Sequence, residues 1–184
     1  MYREFDIRIR SADIGDALRL SRLGASTFRD TFEGTNTPDD LAQYLAEAFT
    51  PQRQAAEIED PGGIVLLAEH PGASGDAELV GYAHVVSGPA PEPVRGRAPL
   101  ELKRLYVVRA WHGQGAAQAL MNAAIDAARA RGAQTLWLGV WERNPRAVAF
   151  YAKFGFARVG EHTFALGADL QTDWILARSI AAAS

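Results

Sequence analysis

The sequence predicts an α/β (α+β) fold in a single domain over residues 1–184, a mixed and largely antiparallel sheet flanked by helices. Three observations predict it. Runs that alternate apolar and polar residues, or are apolar throughout, recur along the chain at strand length. Between them lie segments with apolar residues at helical spacing and capping residues at their starts. The chain of 184 residues suffices for one well-buried core and leaves no room for a second full domain.

Phe5-Asp6-Ile7-Arg8-Ile9-Arg10 alternates and reads as a strand with one wet face, after which Ser11 and Asp13 offer helix caps. A helix is expected from about Ile14 to Phe32, with a break near Gly24 because glycine weakens a helix interior. Thr37-Pro38 and Thr50-Pro51 each set a capping hydroxyl before a proline, predicting short helices over 38–48 and 51–59. Ile64 to Ala68 is too apolar for a wet-faced strand and is expected to be buried on both sides. A turn over 71–76 then joins it to a strand from Glu78 to Val86 as an antiparallel hairpin.

Gly88 to Pro99 holds four prolines and two glycines, so it reads as an exposed loop of the kind that borders substrate sites. Leu100 to Val108 is a strand, and a helix that follows it reaches about Arg131, where Gly132 caps it. Thr135 to Trp141 is a strand. Asn144 caps a helix from Pro145 to Phe154-Gly155, and strands near 156–166 and 172–179 complete the order.

Composition narrows the function. Hydrophobic residues make up 48% and charged residues 22%, as in an ordinary globular enzyme. No segment approaches the ~20 apolar residues of a membrane span, and the first residues lack the apolar stretch of a signal peptide, so a cytoplasmic location without a membrane partner is expected. The absence of cysteine excludes disulfides, thiolate metal ligands and a cysteine nucleophile. Four scattered histidines lack ligand spacing, so no metal is expected. A net charge of −3 argues against nucleic acid and is compatible with a cationic substrate.

Val107 to Leu120 carries the strongest chemical signal: a strand that breaks into a glycine-bearing turn and opens a helix. The first turn of a helix has backbone N–H groups without internal partners, and they point at an anion. Gly113 and Gly115 let a phosphate approach that backbone. The turn matches neither G-x-x-x-x-G-K-[ST] nor G-x-G-x-x-G, which disfavours both nucleotide motifs.

Downstream, Asn144-Pro145-Arg146-Ala147-Val148-Ala149-Phe150-Tyr151-Ala152-Lys153-Phe154-Gly155-Phe156 fits N-x-x-[AS]-x-x-[FL]-Y-x-[KR]-x-G-F throughout. With the turn at His112-Gly113-Gln114-Gly115-Ala116-Ala117, it resembles the GCN5-related N-acetyltransferases. Their turn reads [QR]-x-x-G-x-[GA], and His112 departs from it. Trp137 to Asn144, Gly160 to Gly167 and Gln171-Thr172-Asp173 look like the PaiA-type spermidine/spermine acetyltransferases.

The resemblance implies acetyl-CoA in a cleft where the central strands splay, with acetyl transfer to a primary amine of a small molecule. A polyamine is the leading acceptor, and a homodimer is the candidate assembly. It places Leu105, Tyr106 and Val107 along the pantetheine arm, with their main chain polarising the thioester carbonyl. His112, Gly113, Gln114, Gly115, Ala116, Ala117 and Gln118 would hold the pyrophosphate. Asn144, Arg146 and Ala147 would meet the cofactor near a helix start, and Tyr151 would be general acid to the thiolate.

For the general base the first candidate is Glu101, expected to share a strand face with Leu105 and Val107. Relatives place glutamate here or two residues later, where this chain has Lys103. His84 or a water relay would serve as well. Glu101, His84, Trp141 and His162 are the candidate acceptor-binding residues, and Trp137 reads as core or cofactor wall. The same frame also suits a protein or peptide N-acetyltransferase, and His112 and Lys103 admit an acyl-CoA-binding regulator without turnover.

Overall fold

The computed structural model describes residues 6–34, 37–72, 77–166 and 169–181. The strands are β1 (Arg8–Ser11), β2 (Gly63–Pro71), β3 (Ala77–Ser87), β4 (Leu100–Val107), β5 (Thr135–Trp141), β6 (Ala157–Leu166) and β7 (Asp169–Ser179). The helices are α1 (Ala17–Phe32), α2 (Pro38–Ala48), α3 (Pro51–Glu59), α4 (Ala116–Ala130) and α5 (Pro145–Lys153). Phe5 and residues 73–76 of the expected turn lie outside the described residues.

Among the described residues the strands form one sheet in the order β1-β2-β3-β4-β5-β7-β6. Every pairing is antiparallel except β4 with β5. That parallel pair holds only at Leu100 opposite Leu136 and Glu101 opposite Trp137. Beyond these residues β4 and β5 run on without pairing each other, and the sheet opens as a wedge.

Helices cover both faces because each presents an apolar stripe to the sheet. On one face Leu120, Met121, Ala124 and Ala128 of α4 pack with Ala83, Val85, Leu102, Leu136 and Leu138. On the other, Leu20 and Leu23 of α1 meet Val65, Leu67 and Tyr82. Phe28 and Phe32 of α1 close on Leu41, Leu45 and Phe49. Val65 to Ala68 are buried on both faces, as their uninterrupted apolar run predicts.

Three expectations are corrected. Helix α1 runs unbroken through Gly24, after a short 3-10 turn at Ile14–Asp16 capped by Asp13. Gly24 is there for packing: a Cβ would lie 2.5 Å from Cδ1 of Phe49. The segment 88–99 is not a wholly exposed rim of the site. Its Val94 is buried against Trp137 and Ile175, which makes Trp137 a core residue, and no residue of the segment lines the cleft at the wedge.

The third correction is a β-bulge. Val85 pairs with Leu102 and His84 with Arg104, so Lys103 is the extra residue of β4. A bulge resets the alternation of side chains. Leu100 and Leu102 before it, and Leu105 and Val107 after it, therefore face the α4 side. Glu101 shares the opposite face with Arg104 and Tyr106, not with Leu105 and Val107.

Candidate active site

The wedge between β4 and β5 is the floor of a cleft of about 710 Å³, walled by α1, α2, the start of α4 and α5. Of the residues singled out from sequence, Glu101, Leu105, Tyr106, Val107, His112, Ala117, Trp141, Asn144, Arg146, Ala147, Tyr151 and His162 line it. Gly113, Gln114, Gly115, Ala116 and Gln118 form the adjoining turn without lining the cleft itself.

Gly113 has φ +77° and Gly115 φ +90°, a region that other residues reach only with strain. Gly115 caps α4 with no side chain to satisfy the first turn. Among the described residues no acceptor takes the N–H groups of Gly113, Gly115, Ala116, Ala117 or Gln118, and the space beside both glycines is open. This is a backbone cradle for an anion. Arg109, Arg143 and Arg146 line the nearby cleft and add positive charge.

Gln114 is spent within the turn: its N–H donates to the Trp111 carbonyl and its side-chain amide to that of Ala110. His112 is likewise committed. Its Nε2 lies 2.9 Å from the Val107 carbonyl and its Nδ1 2.8 Å from Nη1 of Arg146. A carbonyl only accepts and a guanidinium only donates, so Nε2 carries the proton and Nδ1 accepts. The imidazole offers no ring donor to an anion; it orients Arg146.

Asn144 starts α5 by accepting the Ala147 N–H at 3.1 Å through Oδ1. That cap turns Tyr151 toward the cleft from the α4 side. Burial pushes the Tyr151 phenol up to about 12, so it holds its proton at neutral pH.

The opposite face supplies acidic groups. Burial raises the Glu101 carboxyl above its ordinary value, against the pull of Lys103 and His162. Asp173 is raised by burial too, with His162 acting against it; His162 Nε2 lies 4.0 Å from Asp173 Oδ2. Both side chains stand over Gly139, where a Cβ would sit 3.3 Å from His162 Nε2. Trp141 packs against Phe32 in the cleft wall, with ring centroids 5.9 Å apart.

His84 is not part of this surface. It is 2% exposed, neither ring nitrogen has a hydrogen-bond partner, and burial lowers it to about 4, so it is neutral. Arg104, paired with His84 across β3 and β4, lines the cleft and donates to Glu57 of α3. Burial works to raise the Glu57 carboxyl, but Arg104 and its neighbours outweigh it and the net shift is downward.

Sequence reading missed Arg104, Asp173, Asp30 and Tyr44 as cleft residues. The first depends on the bulge, which leaves no local signature. The rest depend on pairing and helix packing across the chain. Only Asp173 carried a signal, as the last residue of the Gln171-Thr172-Asp173 string.

A protein-family model for the acetyltransferase (GNAT) family matches residues 27–156. An uncharacterised N-acetyltransferase of Lactobacillus delbrueckii subsp. lactis is 31% identical over 174 residues, covering 95% of this chain and 96% of its own. Another from Mycobacterium tuberculosis (strain ATCC 25618 / H37Rv) is 34% identical over 165 residues, covering 90% and 98%. The crystal structure of PaiA N-acetyltransferase from Thermoplasma acidophilum in complex with coenzyme A is similar in fold, with a TM-score of 0.71 at 18% identity, covering 95% and 99%. With a family model spanning most of the chain and full-length relatives above 30% identity, this chain belongs to the GNAT acetyltransferase family and is an acyltransferase.

Proposed function

We propose that the protein transfers an acetyl group from acetyl-CoA to a primary amine of a small molecule. One observation carries this reading: the anion cradle at the start of α4, Tyr151 and Glu101 all meet one cleft that passes through the sheet between β4 and β5. The coenzyme A held by the Thermoplasma neighbour supports the same ligand here.

The cradle fits a pyrophosphate because it offers unpartnered N–H groups and open space. Gly113, Gly115, Ala116, Ala117 and Gln118 would bind it, with Arg109, Arg143 and Arg146 balancing its charge. Acetyl-CoA supplies the activated acyl carbon. The β4 main chain from Leu105 to Val107 borders the gap and would orient the acyl carbonyl.

Glu101 would take the proton from the incoming ammonium, directly or through water, leaving a neutral nitrogen to form the C–N bond. As the C–S bond breaks, Tyr151 would give its proton to the sulfur, and the extra proton on the acylated nitrogen would pass to the tyrosinate or through water to solvent, leaving a neutral amide and a free thiol. Glu101 approaches from the α1 side and Tyr151 from the α4 side, which lets the acid and the base act across the gap.

Asp30, Glu101 and Asp173 line the cleft and support an ammonium-bearing acceptor; the resemblance to PaiA-type acetyltransferases is what implies spermidine or spermine. Replacing Gly115 with aspartate sets a negative side chain in the cradle on a backbone at φ +90°. Calorimetric titration should show acetyl-CoA affinity down by more than about tenfold. Unchanged affinity would remove the turn from cofactor binding.

A further inference from the structure

The acceptor side of the cleft carries charges of both signs, Asp30, Glu101 and Asp173 beside Lys103 and Arg104. Glu57 of α3 is met by three cations: Arg104 at Oε2, Lys103 Nζ at 3.5 Å and Arg53 Nε at 3.4 Å from Oε1. His84, 3.6 Å from Oε2, adds no charge because it is neutral. One carboxylate does not balance three cations, and Arg104 and Lys103 line the cleft while Glu57 does not, so this patch of the wall keeps positive charge beside the acidic one.

Arg104 is 8% exposed, and its Nη1 bond to Glu57 is the one hydrogen bond it makes among the described residues. Its guanidinium lies 5.0 Å over the Phe49 ring, which fixes its plane. The other guanidinium nitrogens are not sealed inside protein, and Arg104 and Lys103 both line the cleft. A guanidinium held rigid with donors to spare is suited to an oxyanion. Glu101 lies on the same face of β4, three residues back across the Lys103 bulge, so the acidic and basic anchors stand roughly 7–10 Å apart along the strand.

From this juxtaposition we infer that the acceptor is a primary amine bearing its own anionic group, a carboxylate or comparable oxyanion. Arg104 and Lys103 bind the anion while Glu101 holds the amine. The inference rests on the acetyltransferase reading above and sharpens its substrate. A pure polycation would set an ammonium against Arg104 and Lys103, whereas an amino carboxylate meets complementary charge at both ends.

The test compares ω-amino carboxylates, from glycine to aminohexanoate, with their carboxamides of equal length and with spermidine. Initial rates are followed by thiol release from acetyl-CoA. The best carboxylate should exceed its carboxamide by about tenfold or more in kcat/KM, expressed in KM. The advantage should shrink to within about threefold in exposed Lys103→Met, and in Arg104→Met paired with Glu57→Leu, which removes both members of the buried ion pair.

Equal use of carboxylates and carboxamides, or a preference for spermidine, would overturn the anionic-acceptor inference and leave the acetyltransferase reading standing. Binding of acetyl-CoA with no acetylation of any amine would overturn both.

Discussion

His112 and Arg146 are joined at 2.8 Å, the imidazole Nδ1 accepting from the guanidinium while its Nε2–H is anchored on the Val107 carbonyl. The histidine thus links the end of β4 to the first turn of α5. It stands where the family pattern has glutamine or arginine, and it presents a neighbour's charge in place of its own donor.

His112→Ala should therefore act through Arg146. A hydrogen bond to a charged group contributes about 1.5–3 kcal/mol when well formed and less at an exposed site, so a rise of roughly three- to tenfold in acetyl-CoA KM is expected with kcat nearly unchanged. Arg146→Ala should do the same. The double variant should be no worse than the more affected single one; additive losses in the cycle would show that His112 acts independently.

Tyr151→Phe removes the proton donor but keeps the ring packed against Phe150 and Phe156. kcat should fall by about a hundredfold, with acetyl-CoA affinity within about twofold of the parent. Because the phenol is pushed up to about 12, its protonated form persists through the usual assay range and causes no alkaline loss there. Unchanged turnover would take Tyr151 out of the acid role.

For Glu101 the pH profile is the readout. The base must be ionised, so kcat/KM should rise with pH as Glu101 loses its proton, at a midpoint above the usual carboxylate range because burial raises it. Glu101→Gln should abolish that limb and slow the reaction by about a hundredfold near neutrality. Its rate should recover toward the acceptor's own pKa, where more of the amine is already neutral. A variant profile parallel to the parent's would rule Glu101 out.

Gly24→Ala separates two readings by sign. If Gly24 only weakened α1, alanine would stabilise the protein by about 0.5–1 kcal/mol. The structure places the added Cβ 2.5 Å from the ring of buried Phe49, so a net loss of about 1–2 kcal/mol is expected in urea unfolding. A gain would mean that Phe49 yields easily.

What the sequence disclosed was local in origin. Gly113 and Gly115 announce a turn before a helix, and Asn144 with Pro145 announces a helix start, because caps and positive φ depend on neighbouring residues. The turn and the helix start that border the cleft were legible for that reason. The acidic and basic side chains across the cleft were not: Glu101 shares a face with Arg104 only because of a bulge, and Asp173 comes over Gly139 only through strand pairing. His84 looked available on an alternating strand, yet α3 and Gly63 close over it. Val94 looked exposed among prolines until β5 and β7 supplied an apolar surface for it.

The central claim is acetyl transfer to a small-molecule amine, and the most direct measurement is product formation. Protein, acetyl-CoA and a panel of spermidine, spermine, amino carboxylates and a lysine peptide would be analysed together for released thiol and, by mass spectrometry, for acetylated amine. The account predicts matched thiol and N-acetylated product with at least one small-molecule amine, both strongly reduced in Tyr151→Phe. Tight acetyl-CoA binding with neither product, or acetylation of the peptide alone, would contradict it.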